Sequence, residues 1–193
     1  ADPARLLRKD GAAPGDVLVL TKPLGTGLIL SGRRSGAAND ACVDGAVASM
    51  LRLNRRASEI LVDAGVRGAT DVTGFGLLGH AGEMARASGT RFLIESTALP
   101  ALPGALELVA EGIETTGARD NRRSVDDILD IGDLVEPARL ALALDPQTSG
   151  GLLAAIPRPA LEDLLERFAA AGIEASVVGR VETGPRGPGL AIV

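Results

Sequence analysis

The chain has 193 residues, of which 46% are apolar, and carries a net charge of −5 with a mean hydropathy of +0.21. It is long enough to bury one substantial core and too apolar for a disordered linker. Aromatic residues make up only 2%, with no Trp and no Tyr, so base-stacking platforms are scarce, and the acidic balance argues against binding a nucleic-acid backbone. Cys42 is the single cysteine and His80 the single histidine, which rules out an intramolecular disulfide and any zinc pattern. A reducing, cytoplasmic setting is the simple reading. No apolar run approaches the ~18 residues of a spanning helix, so no membrane partner is expected.

Residues 1–15 are charged, contain Pro3 and Pro14, and read as a linker or lead-in to a domain over 16–193. Asp16 to Thr21 is a short apolar run closed by Pro23 and Gly25, the pattern of a buried strand. A short helix follows over Leu28 to Leu30. Val43, Ala46, Val47 and Met50 then share one helical face, as do Ala57, Ile60, Leu61 and Ala64, with Gly65 as a stop signal. Val66 to Thr70 reads as a strand, and Leu77, Ala81, Met84 and Ala85 as the apolar side of a helix ending at Gly89. A strand at Arg91 to Glu95 and a helix at Gly104 to Glu111 come next. Gly112 to Asp133 is polar and reads as one long irregular loop. Pro137 to Leu144 is helical, Gly151 to Ile156 a strand, and Leu161, Leu164, Leu165 and Phe168 mark an amphipathic helix closed by Gly172. Strands at Ala175 to Val181 and Leu190 to Val193 close the chain. The sum is an α/β (α+β) fold, a mixed sheet flanked by helices.

Three segments have the makings of a site. Thr21 to Gly27 runs strand, glycines, helix start, an order that can present backbone N–H groups to phosphate; Lys22 precedes the glycines, unlike a phosphate-loop lysine, and a plain strand-to-helix turn explains the segment better. Asp71 stands at a strand end ahead of a helix. There a carboxylate can hold a hard cation such as Mg²⁺ while the helix end favours phosphate, or can serve as an Asx-turn residue. Within that segment Thr73 is placed to cap the helix beginning at Phe75, and Gly74 and Gly76 permit a tight loop. Asp145 to Leu153, with Thr148, Ser149 and Gly150, either lines an anion site or forms a turn. His80, a lone histidine without a nearby carboxylate or Ser partner, reads as structural, Cys42 as a buried, inert thiol, and Asp126, Asp127 and Asp130 as a solvated face.

Taken in order, Gly15 to Gly27, Met50 to Asn54, Ala69 to His80 and Asp145 to Leu153 resemble the C-terminal domain of selenophosphate synthetases (selenide, water dikinases), within the wider aminoimidazole ribonucleotide synthetase-like group. Leu102 to Ala105 and Asn121 fit as well, and the resemblance covers essentially the whole chain. The family often carries a Pro-Gly-Gly-Thr run before the Asn, where this sequence has Glu114 to Asp120.

The resemblance implies an enzyme that converts selenide, ATP and water into selenophosphate, AMP and phosphate. It implies Asp71 as one Mg²⁺ ligand, with Thr73, Gly74, Thr148, Ser149 and Gly150 as weaker candidates for nucleotide contacts and no catalytic residue on this chain. The reactive Cys or selenocysteine, the catalytic Lys and most metal-binding Asp residues of such enzymes belong to an N-terminal domain that also dimerises. Cys42 and Lys22 do not occupy those positions, so the chain reads as one half of such a protein. The alternatives are a superfamily relative in purine biosynthesis or hydrogenase maturation, or a non-catalytic interaction domain.

Overall fold

Val17–Leu20 (β1) is wholly buried, and its alternating side chains serve two different cores. Leu18 and Leu20 enter a large cluster with Leu28, Leu77, Met84 and Phe92; Val17 and Val19 enter a smaller one with Ile60, Leu61, Leu164 and Phe168. That split is the two-residue period of a strand covered on both faces. The computed structural model describes residues 6–184 and 187–193.

The strands are β1, β2 (Gly68–Asp71), β3 (Arg91–Ile94), β4 (Leu129–Ile131), β5 (Leu152–Ile156), β6 (Ser176–Glu182) and β7 (Gly189–Ile192). They form one sheet in the order β2-β5-β1-β6-β3-β7-β4. The pairs from β2 through β3 are antiparallel, whereas β3–β7 and β4–β7 are parallel, so the sheet is mixed as the sequence predicts. The helices are α1 (Thr26–Ser35), α2 (Asp40–Leu51), α3 (Arg55–Asp63), α4 (Gly76–Ser88), α5 (Ala105–Ala110), α6 (Thr116–Arg123), α7 (Pro137–Leu144) and α8 (Leu161–Ala170). Helices α3 and α8 cover the β2-β5-β1 side of one face, while α1, α4, α5 and α7 supply the larger core on the other.

Three expectations change. The predicted loop over Gly112 to Asp133 contains α6 and β4. Helix α6 escapes a sequence reading because only Asn121 of its eight residues is buried, so it has no apolar stripe to read. Helix α1 is ten residues long, running from Gly25, whose φ is 116°, to Gly36 in the left-handed conformation. On α2, Ala46 is buried, but Val47 is 40% and Leu51 75% exposed, because this helix lies at the periphery against α1.

The lead-in from Leu6 onward lies against the domain. Arg8 bridges to Gly68 on the outer side of β2, with Arg8 N donating to Arg67 O (2.8 Å) and Ala69 N to Arg8 O (3.0 Å). Ala12 is buried, and Gly15 N reaches Val181 O at 2.9 Å.

Candidate functional site

Asp71 ends β2, the edge strand, and its side chain is exposed. Its carboxylate makes no hydrogen bond or ion pair among the described residues. It lines an open depression with Leu7, Lys9, Thr70 and Leu152. Val72 is fully buried and Thr73 half-buried, so Asp71 and Thr73 both turn away from the core that holds Val72.

The turn after Asp71 is held from below by the segment around Gln147. Val72 N donates to Gly151 O (2.8 Å), and the Thr73 carbonyl accepts from both Gly76 N and Gln147 N, each at 3.0 Å. Buried Asn121 of α6 donates through Nδ2 to Gly74 O and Leu144 O, each at 2.9 Å. Gly76 has φ +69°, and a Cβ there would stand 2.8 Å from the Leu144 carbonyl oxygen, so this junction requires glycine. A Cβ on Gly150 would collide with the Val72 carbonyl oxygen. Asp71 and the Asp145–Gly151 segment, far apart in sequence, thus form one packed unit.

The glycines before α1 do not offer free N–H groups. Gly25 N (3.1 Å), Thr26 N (3.3 Å) and Thr26 Oγ1 (3.1 Å) all address Gln147 Oε1, and Gly27 N donates to Asp145 Oδ2 (3.0 Å). Gln147 in turn donates to Asp145 O and Oδ2, each at 2.8 Å. The helix end is capped by side chains of a distant loop, which satisfies the unpaired donors of its first turn. Burial pushes the Asp145 carboxyl up to about 6, against the pull of the Leu28 and Gly27 amides and Gln147. Its Oδ1 and the Thr115 hydroxyl are buried with no hydrogen bond.

Lys22 is also engaged inside the domain. Its ammonium donates to Arg52 O (2.6 Å) and Ser149 O (2.8 Å), and burial, with a contribution from Arg52, lowers its pKa. Ser149 has φ +50° and donates its hydroxyl to Met50 O (2.8 Å). Thr148 N donates to Thr26 Oγ1 (3.0 Å), and Gly150 O accepts from Asn54 Nδ2 (2.8 Å).

Two readings of single residues are corrected here. Thr73 does not cap the following helix, which begins at Gly76 after Phe75 with no side-chain cap bond. Its hydroxyl instead lies 3.1 Å from His80 Nε2. His80 is not without partners: its Nδ1 lies 3.0 Å from Glu83 Oε2, which also accepts from Lys9 Nζ at 2.8 Å. The i, i+3 spacing of His80 and Glu83 is visible in the sequence; the approach of Thr73 and Lys9 is not. Asp126, Asp127 and Asp130 pair at the surface with Arg122, Arg86 and Arg91.

Chemically, the arrangement offers one exposed, unpaired carboxylate on a rigid turn. This donor fits one position around a hard divalent cation, which takes oxygen ligands. Among the described residues, no group of three or more His, Cys, Asp or Glu is placed to hold a metal alone. No helix among them is long and apolar enough to cross a membrane.

The pattern described as "AIR synthase related protein, C-terminal domain" matches residues 13–189. A selenide, water dikinase of Pseudomonas straminea is 39% identical over 184 residues, covering 95% of this chain and 52% of that protein. The chain therefore spans about half the length of the curated relatives it matches. Among solved structures, the hydrogenase maturation protein HypE of E. coli superposes with a TM-score of 0.69 at 22% identity, over 96% of this chain and 48% of that one. A thiamine-monophosphate kinase of Stenotrophomonas maltophilia K279a gives 0.64 at 21%, over 96% and 52%. At such identities the two structures speak for the fold alone.

Proposed function

Because the chain belongs to the family of AIR synthase related protein C-terminal domains, we propose that it is the C-terminal half of a selenophosphate synthetase that turns selenide, ATP and water into selenophosphate, AMP and phosphate. The observation that carries this reading is the 39% identity to a selenide, water dikinase along 95% of the chain. In this reading the ATP site lies mostly on an N-terminal half, which also makes the homodimer, and the protein works in the cytoplasm.

Asp71 is the contribution of this half. Its free carboxylate, at the lip of a turn pinned by Asn121 and Gln147, would hold Mg²⁺ through oxygen. Asp71 would hold the metal with ATP, where it would supply neutralisation of the phosphate charge for phosphoryl transfer. The turn positions that oxygen with little freedom, and a ligand supplied by a second domain links domain closure to chemistry. Gly74, with its carbonyl held by Asn121, and Thr73 give the same turn a face that can approach a nucleotide. Asp145, Gln147, Ser149 and Gly150 support this turn from behind.

The test uses the full-length protein. AMP release that depends on selenide supports the reading, whereas ATP consumption indifferent to selenide overturns the substrate. Asp71→Asn is expected to lower turnover by at least ~10²-fold, the scale of losing a positioned electrostatic group. Turnover close to the parent enzyme would remove Asp71 from the metal site. A second reading, a relative acting in hydrogenase maturation or on a purine precursor, draws on the fold likeness to HypE and predicts that selenide has no effect.

A further inference from the structure

The depression that Asp71 lines holds a second charged side chain, Lys9. It is open, about 370 Å³ in volume, and among the described residues its charged lining is this one carboxylate and this one ammonium. The other walls are Leu7, Ala69, Leu152 and Thr70, whose hydroxyl donates to the Asp71 carbonyl at 3.3 Å. Charges set against apolar walls act more strongly than charges in open water.

The two opposite charges do not pair with each other. Lys9 Nζ donates instead to Glu83 Oε2 of α4 at 2.8 Å, and the Asp71 carboxylate stays free among the described residues. Glu83 Oε2 also lies 3.0 Å from His80 Nδ1, so the anchor of the ammonium is itself fixed. The backbone ahead of Lys9 is held by the bonds of Arg8 to Arg67 and Ala69. An ammonium has three protons to donate, and Glu83 takes one. Lys9 is exposed, so water and other anions compete for its pairing. The depression thus carries a free carboxylate and an ammonium with donors left over, held apart on fixed backbone. This is the charge order of a metal-bound phosphate: carboxylate, divalent cation, phosphate oxygen, ammonium. Lysine is a common point-charge partner of phosphate, and a hard cation takes carboxylate and phosphate oxygens together.

We propose that Lys9 binds an oxygen of the β- or γ-phosphate of the nucleotide whose metal Asp71 holds, the two phosphates that a catalytic Mg²⁺ bridges. Residues 9 and 71 then hold the two ends of one metal–phosphate unit. The inference rests on the Asp71 reading and adds to it a phosphate-binding residue from the lead-in, ahead of β1. Lys22 and the glycines before α1, whose sequence suits phosphate better, are both occupied inside the domain.

The test measures nucleotide binding, without turnover, in the full-length protein. Fluorescence anisotropy follows N-methylanthraniloyl derivatives of AMP and of a non-hydrolysable ATP analogue, with and without Mg²⁺. Lys9→Met is expected to weaken binding of the ATP analogue by about 10–100-fold, the scale of one charge-assisted hydrogen bond, and of the AMP derivative by less than about threefold. Lys9→Arg, which keeps the charge, returns binding of the ATP analogue towards that of the parent. Thermal melts of each variant report folding separately. Equal weakening of both nucleotides in Lys9→Met makes Lys9 a structural contact only and overturns the proposal, as does unchanged binding of the ATP analogue. Asp71→Asn separates this inference from the reading beneath it. Loss of the Mg²⁺ dependence in Asp71→Asn together with parent-like binding in Lys9→Met overturns the lysine alone. A Mg²⁺ dependence in Asp71→Asn equal to that of the parent overturns the metal reading.

Discussion

Asp145 is fully buried, keeps one oxygen without a hydrogen bond, and has its carboxyl pushed to about 6 by burial. Because the folded value lies above that of the unfolded chain, folding retains a proton that the unfolded state releases. The stabilisation from this group is complete below pH 4 and is lost as pH rises through about 6. Its loss amounts to roughly 3 kcal/mol, since each tenfold change in an acid's ionisation constant is worth ~1.4 kcal/mol. Asp145→Asn keeps an acceptor for Gly27 and removes the titration. The difference in unfolding free energy between wild type and variant, measured from pH 4 to pH 8, should therefore fall across that window. A flat difference would mean that Asp145 does not ionise there. None of this is legible in the sequence, where Asp145-Pro146 reads as a turn; burial is a property of the packed loop. The place of Asp71 in the fold is legible, because a carboxylate between a strand and a glycine-bounded helix start needs only local pattern. The bonding of His80 is not, because the approach of its partner Thr73, and of Lys9 to the Glu83 carboxylate beside it, depends on tertiary placement.

Among the elements, α6 shows how far sequence pattern can carry. Its eight residues include four charged ones and offer no apolar period. It is fastened by polar contacts: Asn121 ties two carbonyls, and Arg122 pairs with Asp126 at 2.6 Å. Asn121→Ala would leave the carbonyls of Gly74 and Leu144 without this donor. Each buried, unsatisfied group costs ~1–3 kcal/mol, so a loss of about 2–4 kcal/mol is expected in chemical denaturation. A change below about 0.5 kcal/mol, the usual scatter of a surface substitution, would show that α6 does not hold the turn. By contrast β1, α4 and α8 are readable from apolar periodicity, since their side chains fill the two cores directly. The glycines before α1 are the opposite case. Their sequence suits phosphate, but Gln147 and Asp145, more than a hundred residues away, already occupy the helix end.

At the scale of the whole molecule, no set of three or more His, Cys, Asp or Glu among the described residues could hold a metal alone. The isolated 193-residue chain is therefore expected neither to hydrolyse ATP nor to bind Mg·ATP tightly. A purified sample with steady ATPase activity that survives further purification would contradict this. The fold class is readable from the mixture of strand and helix patterns. The strand order is not, because pairing β2 with β5 and β3 with β7 is decided by long-range packing.

That order puts the Asp71 carboxylate on the rim strand. On its inner side β2 is zipped to β5 along four residues, while on its outer side a single bridge from Arg8 covers it. The same lead-in sends Lys9 to Glu83. Residues 8 and 9 therefore act as a latch across the strand and helix that flank the Asp71 turn. A tug on the chain ahead of them would loosen the Asp71 turn while the central strands stay shut. Amide exchange should show this as faster opening at Ala69 than at Leu18, widened further by Arg8→Pro, which cannot donate to Arg67. The chain entering the domain would then control how firmly the Asp71 turn is held.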